Sequence, residues 1–210
     1  MTPRLLLAHG WALDRTLWDH VLDALGKDAA GAVVLDAGYY GRPVPLPRIE
    51  DPTLGVGQSL GALELMAQPP PGLKGIVVLD GFARFGQAED FPQGVPARVL
   101  ERMKKRVADG ALVEFLERAG GKVPDGTPDA PRLIDGLRRL QTLDGRACAL
   151  PLWRLHAQGD PIALLAMADA SFEGLDVVER CIRPSTDHLS PIHDPQACAD
   201  LIRAALEALS

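Results

Sequence analysis

The stretch Gly57-Gln58-Ser59-Leu60-Gly61 constrains this chain more than any other. It has the form Gly-x-Ser-x-Gly, and its setting gives the string its meaning. The run Thr53-Leu54-Gly55-Val56 before it fits a short buried strand, and Ala62-Leu63-Glu64-Leu65-Met66-Ala67 after it consists of good helix formers. Strand, tight turn and helix is the setting that holds a serine at the apex of a strained turn with its hydroxyl presented outward. Glycine on either side lets the strand and the helix approach that apex. The Leu60 amide falls at a helix N-terminus, where it can face a developing negative charge. The competing reading is a glycine-rich turn with an incidental serine. What separates the two is whether a base and an acid follow at suitable places downstream.

The rest of the chain reads as strands alternating with helices, which implies a parallel sheet with right-handed crossings. Leu5-Leu6-Leu7-Ala8 is a continuous apolar run, as expected for a strand buried on both faces. No strand is expected ahead of it. Asp14 offers a cap to a helix over Thr16 to Leu25, with Leu17, Val21 and Leu25 on one face. Ala32-Val33-Val34-Leu35 is the next strand. Pro43, Pro45, Pro47 and Pro52 then forbid a regular helix, so an extended crossing leads to the strand before Ser59. Ile76-Val77-Val78-Leu79 is the clearest strand, and Asp80-Gly81 follows it.

From Phe82 to Arg146 no strand pattern occurs. Helices are expected over Arg98 to Val107, Ala111 to Arg118 and Arg132 to Leu143, the last with Leu133, Leu137 and Leu140 on one face. This defines a core of residues 1–81 and 147–210 with a helical lid of residues 82–146. Strands return at Leu150 to Ala157 and Val177 to Ile182. Helices are expected at Ile162 to Ala170 and Gln196 to Leu209. The fold class is α/β, with a reduced, mostly parallel sheet of about six strands, by the alternation of patterns.

At 210 residues the chain suits one domain with an insertion. Its net charge of −6 excludes a nucleic-acid binder by charge. The charge is uneven, however. Residues 98–146 carry 11 basic and 8 acidic side chains, net +3, while the remainder carries 11 basic and 20 acidic, net −9. A basic segment on an acidic chain points to an acidic partner or substrate, or else to a solvated helical surface. Cys148, Cys181 and Cys198 are scattered and odd in number, neither a disulfide framework nor a metal spacing. Leu5–Ala8 is too short for a signal-peptide core, and no stretch reaches the ~20 apolar residues of a membrane helix. A soluble, cytoplasmic chain is expected.

A serine hydroxyl needs a base to take its proton, and the base needs a carboxylate to hold its tautomer. Ser59, Asp160 and His188 stand in the chain order serine, acid, histidine, each in a loop after a strand. His193 is the rival base and Asp80 the rival acid. His9 is read as shaping the loop after the first strand, His20 as a surface residue and His156 as structural. Two N–H donors are needed for an oxyanion. Leu60 supplies one, and Trp11, turned by Gly10, is expected to supply the other.

At this point the sequence resembles the α/β-hydrolase superfamily along its whole length. His9-Gly10-Trp11, the serine turn, Gly159-Asp160-Pro161-Ile162 and His188 carry the likeness. It is similar more narrowly to the pimeloyl-acyl-carrier-protein methyl ester esterases of biotin synthesis. This likeness rests on His9 to Leu13 through Trp18, Phe82-Ala83-Arg84-Phe85 with Glu89 to Pro92, Gly136-Leu137 through Leu143-Asp144 with Leu150 to Leu155, and His188 with Pro195.

The resemblance implies a serine esterase releasing methanol from the carrier-linked methyl ester, with no cofactor or metal. It implies an acyl carrier protein as partner, gripped by lid arginines, for which Arg102, Arg106, Arg138 and Arg139 are the candidates. Phe82, Phe85 and Phe91 are expected to line the acyl pocket, or else to be core. Gln58, which stands where better-known members have tryptophan, is expected to border the substrate. No nucleic acid or membrane is implied, and a monomer is favoured. The alternatives are a general carboxylesterase or thioesterase of the same fold, and a non-catalytic ligand-binding protein of that fold.

Overall fold

In the computed structural model, which describes residues 3–49, 51–107 and 111–210, six parallel strands form one sheet. They are β1 (Arg4–Ala8), β2 (Val33–Val34), β3 (Thr53–Gln58), β4 (Leu73–Leu79), β5 (Leu152–Ala157) and β6 (Val177–Arg183). Their order across the sheet is β2-β1-β3-β4-β5-β6. The chain moves outward from β1 to β2, then crosses back over β1 to β3 and continues the other way. The order therefore reverses between β1 and β3, whose register sets Ala8 opposite Gly57. A crevice at the carboxyl ends of the strands opens at such a reversal, and ligands of parallel sheets bind there.

The helices are α1 (Asp19–Leu25), α2 (Leu60–Ala67), α3 (Ala97–Arg106), α4 (Ala111–Ala119), α5 (Ala130–Thr142), α6 (Leu165–Ser171), α7 (Ser190–His193) and α8 (Pro195–Ala208). Alternation along the strands distributes the core to the two faces. Leu5, Leu7, Val77 and Leu79 pack with Val21 and Leu25 of α1 and with Leu201, Ile202 and Ala205 of α8. Leu6, Ala8, Ile76 and Val78 pack with Ala62, Leu65 and Met66 of α2 and with Phe172. Every residue of β3 and β5 is buried, including the polar Thr53, Gln58, Arg154 and His156, because both strands have neighbours on both faces.

Several elements differ in extent from the sequence reading. β2 is only two residues long, and the proline-rich crossing after it is irregular apart from an Asp36–Val44 bridge; Glu50 lies outside the described residues. The first helix is split, with Arg15–Trp18 forming a 3-10 turn capped by Asp14 before α1 begins. α6 starts at Leu165 rather than Ile162, because the Ile162 and Ala163 amides are bonded to the Asp160 side chain. α7, which begins two residues after His188, has no periodic signal of its own.

Between β4 and β5 the described residues include α3, α4 and α5 and no strand longer than an isolated bridge. α5 is capped by Asp129, carries Pro131 in its first turn and buries Leu133, Leu137 and Leu140. The two ends of this segment meet. The Gly145 amide donates to the Ala83 carbonyl at 2.7 Å, and Arg84 forms an ion pair with Asp144. Asp144 also accepts from Arg146 Nε at 2.9 Å. The bonded Arg146 guanidinium, helped by Arg84, holds the Asp144 carboxyl down to about 2. The segment thus leaves and re-enters the sheet at one point, over the crevice. Among the described residues, no helix is long and apolar enough to cross a membrane.

Candidate active site

Ser59 sits between the last residue of β3 and the first of α2 with φ +52° and ψ −118°, a left-handed conformation rare for a residue with a side chain. Its amide donates to the Leu79 carbonyl at 3.1 Å, and its carbonyl accepts from Ala62 at 3.1 Å and Leu63 at 3.2 Å. The flanking glycines are needed for contact. A Cβ on Gly57 would lie 2.3 Å from Ala62 Cα, and one on Gly61 would lie 2.2 Å from the Ala8 carbonyl oxygen. Backbone packing on both sides holds the strain at Ser59 in place.

Ser59, His188 and Asp160 form one hydrogen-bonded line. The Ser59 hydroxyl donates to His188 Nε2 at 2.9 Å, and His188 Nδ1–H donates to Asp160 Oδ2 at 2.6 Å. These bonds assign the neutral histidine its Nδ1-protonated tautomer. Asp160 Oδ1 accepts from the Ile162 and Ala163 amides at 2.8 and 2.9 Å, which fixes the carboxylate. All three residues are buried. Burial alone would push the His188 imidazole down, but the Asp160 charge and hydrogen bond, with Asp80 and Asp187, raise it above its ordinary value.

The rivals are occupied elsewhere. His193 is exposed and donates Nε2–H to the Gly120 carbonyl at 2.8 Å. Asp80 is fully buried but bonds to Ser190 and Ala157 rather than to His188. His156 donates to the Ala163 carbonyl at 2.7 Å. His9 donates Nδ1–H to the Gly10 carbonyl at 2.9 Å and accepts from the Ala37 amide at 3.0 Å, so it pins the first loop. His20 is exposed. Potential ligand atoms of Asp80, His156 and Asp160 lie within 4.8 Å of one another. The bonds just described already engage all three side chains.

The first loop presses on the serine, since a Cβ on Gly10 would meet Gln58 Oε1 at 2.2 Å and Ser59 Cβ at 3.0 Å. No carbonyl among the described residues accepts from the Trp11 or Leu60 amides. The Trp11 indole donates to the Leu133 carbonyl at 2.8 Å and meets the Phe115 ring edge-on, 4.8 Å between centroids.

Ser59 opens into a cavity of about 360 Å³. Phe82 and Phe85 line it, together with Trp11, Met103, Phe115 and Met167. Phe91 does not line it. That ring is buried beneath the Arg146 guanidinium, 5.6 Å from the centroid, in the closure of the helical segment. Gln58 does not border the cavity either. It points back under the histidine loop and donates Nε2–H to the His188 carbonyl at 2.8 Å. The lining from Met103, Phe115, Leu137 and Leu140 was hidden in the sequence, because helical apolar stripes look alike whether they face core or cavity.

The four arginines fall into two pairs. Arg102 and Arg138 are exposed on α3 and α5, and Arg98 and Lys105 are exposed on the same α3. Arg139 is tied to Glu64 at 2.9 Å and Arg106 to Glu114 at 2.9 Å, so neither is a free cationic side chain.

The fold and site together define a chain of the α/β-hydrolase fold with a serine–histidine–aspartate constellation at the carboxyl edge of its sheet. No family model matches the chain. Its relatives are specific nonetheless. It is 28% identical over 211 residues to the biotin biosynthesis bifunctional protein BioHC of Cellvibrio japonicus, covering 83% of this chain and 41% of that one. It is 29% identical over 157 residues to a pimeloyl-[acyl-carrier protein] methyl ester esterase of Neisseria meningitidis, covering 66% and 61%. A protein of the same name from Nitrosomonas europaea is 24% identical over 95% of both chains. The chain thus spans about half the length of the first two relatives. Among solved structures it is similar to a bromoperoxidase from Bacillus anthracis (TM-score 0.78, 16% identity, 99% of this chain and 92% of that one). It is also similar to an esterase from Exiguobacterium antarcticum (TM-score 0.76, 12% identity, 99% and 93%).

Proposed function

We propose that this chain is a serine carboxylesterase that hydrolyses the methyl ester of pimeloyl-acyl carrier protein, yielding the free acid and methanol. The observation that carries the reading is the unbroken Ser59–His188–Asp160 line at the floor of a largely apolar cavity. The names of the Neisseria meningitidis and Nitrosomonas europaea relatives supply the substrate, and that of the Cellvibrio japonicus relative supplies biotin synthesis. Ser59 Oγ attacks the ester carbonyl while His188 takes its proton, and Asp160 stabilises the imidazolium. The Leu60 and Trp11 amides hold the oxyanion. Methanol leaves with the proton from His188, and water, deprotonated by His188, releases the acid from Ser59.

Residues 82–146 act as the lid, and Phe82 and Phe85 contact the acyl chain. The exposed Arg102 and Arg138 face the acidic carrier, each such contact worth about 1 kcal/mol or less and weakened by salt. The working place of such an enzyme is the cytoplasm.

The test is hydrolysis of methyl pimeloyl-acyl carrier protein beside a short p-nitrophenyl ester, at low and high salt. Fast, salt-sensitive turnover of the carrier-linked ester is expected, with both activities lost in Ser59→Ala. Turnover of the short ester alone would leave a general carboxylesterase or thioesterase. Failure of a fluorophosphonate to label Ser59 would leave a non-catalytic binding protein.

A further inference from the structure

Asp80 is a buried carboxyl group that the steps above do not use. It follows the last residue of β4 with φ +47°, one of three non-glycine residues in the left-handed region among those described; Ser59 is another. Its side chain is fully buried, yet no lysine or arginine among the described residues forms an ion pair with it. A buried carboxyl without a counter-cation is costly, and a strained backbone adds to that cost. Features that reduce stability in this way concentrate at working sites.

Its hydrogen bonds show what it holds. Oδ2 accepts from the Ser190 amide at 2.7 Å, and Oδ1 accepts from the Ser190 hydroxyl at 2.9 Å. Oδ1 also accepts from the Ala157 amide, at the end of β5, at 3.2 Å. Ser190 begins α7, two residues past His188. One carboxyl therefore ties the ends of β4 and β5 to the loop that carries the histidine. The His188 carbonyl is held separately by Gln58, so the backbone that follows the imidazole-bearing Cα is anchored twice.

We propose that Asp80 is a positioning residue for His188, acting through Ser190 to set the imidazole between Ser59 and Asp160. This rests on Ser59, His188 and Asp160 being the working set. The titratable groups that face Asp80 are Asp160 from the loop after β5, His156 from β5, His188 from its own loop and Cys198 from α8. The Asp80 charge favours the imidazolium of His188, in the same sense as Asp160.

The experiment is the rate of fluorophosphonate labelling of Ser59 against pH, which reads the nucleophile whatever the natural ester is. Asp80→Asn keeps the size but cannot accept every bond. Labelling is expected to slow by roughly 10- to 100-fold, the scale of a small misplacement of a catalytic group. The acid limb is expected to move to lower pH, because the negative charge that Asp80 carries as it ionises near neutral pH, facing the imidazole, is gone. Ser190→Ala, which keeps the carboxylate, is expected to slow labelling by about threefold, the equivalent of a weak hydrogen bond, and to leave the limb in place. A merely structural role would lower the melting temperature without moving the limb. Folded Asp80→Asn protein that labels at the wild-type rate with an unmoved limb would overturn the proposal. If Asp80→Asn does not fold, Ser190→Ala decides: slowed labelling supports the proposal and a wild-type rate overturns it. Wild-type protein that does not label at all would overturn the assignment of Ser59 and this inference with it.

Discussion

The backbone amide of His188 donates to the carbonyl oxygen of Ala119 at 2.9 Å. Ala119 is the last residue of α4, so the histidine that faces Ser59 is bonded to the helical segment as well as to the sheet core. The next two residues reinforce the seat. Gly120 accepts from His193, and Gly121 lies where a Cβ would meet Leu189 Cδ1 at 2.5 Å.

Gly120 has φ +93°, and a Cβ there would lie 2.9 Å from Asp187 Cβ. Gly120→Val combines a disfavoured backbone region with a push on the residue before His188. It is expected to cost about 1–3 kcal/mol of stability. It should also lower kcat on a short p-nitrophenyl ester, with little change in KM. Urea unfolding together with steady-state kinetics checks this. Unchanged kcat in a destabilised protein would mean that the α4 seat does not align the histidine.

The pH profile follows from the surroundings of His188. Burial pushes the imidazole down, and the Asp160 charge and hydrogen bond, with Asp80 and Asp187, more than reverse that. Activity needs the neutral base, so kcat/KM should be lost as pH falls through a value above the ordinary ~6.5 of histidine. Asp160→Asn should move that limb to lower pH. It should also cut kcat by roughly 10³- to 10⁴-fold, the scale seen when the tautomer-setting carboxylate of such a triad is neutralised. A pH–rate series on both proteins reads the two effects separately.

Burial pushes the Asp80 carboxyl up to about 7 from an ordinary 3.8. Between those values the folded state keeps a proton that the unfolded chain has released. Stability therefore falls as pH rises through this window and is level above it. The stability of the wild type relative to Asp80→Asn should decline steadily from about pH 4 to about pH 7. Denaturant midpoints of both proteins at several pH values test the slope, which is independent of the hydrogen bonds the substitution removes.

Met103, on α3, is half-buried at the wall of the cavity. Met103→Trp puts a larger ring into that space without disturbing the fully buried core. It should lower kcat/KM for p-nitrophenyl octanoate by about tenfold and leave p-nitrophenyl acetate nearly unchanged, in line with the ~1–3 kcal/mol that hydrophobic pockets discriminate. Equal effects on both esters would place the acyl chain elsewhere.

The sequence by itself determined the parallel sheet, the serine turn and the chain order of its partners. These depend on local physics. Leu5–Ala8 and Ile76–Leu79 are short, continuously apolar runs bounded by His9-Gly10 and Asp80-Gly81, which suits strands with covered faces, and Gly57 and Gly61 let a helix start this close to a strand. Tertiary structure alone decided which side chains meet. Phe82, Phe85 and Phe91 are equivalent in the sequence, yet closure of the helical segment buries Phe91 under Arg146 and leaves the other two at the cavity. Gln58 sits beside the nucleophile in the chain, but strand alternation turns its side chain away from the cavity and under the histidine loop. Asp80 and Asp160 both follow strands. The reach from β5 gives Asp160 the imidazole, while Asp80, one strand further in, bonds to Ser190 instead. Contacts over more than a hundred residues depend on how loops converge at one edge of the sheet, and no local pattern encodes that convergence.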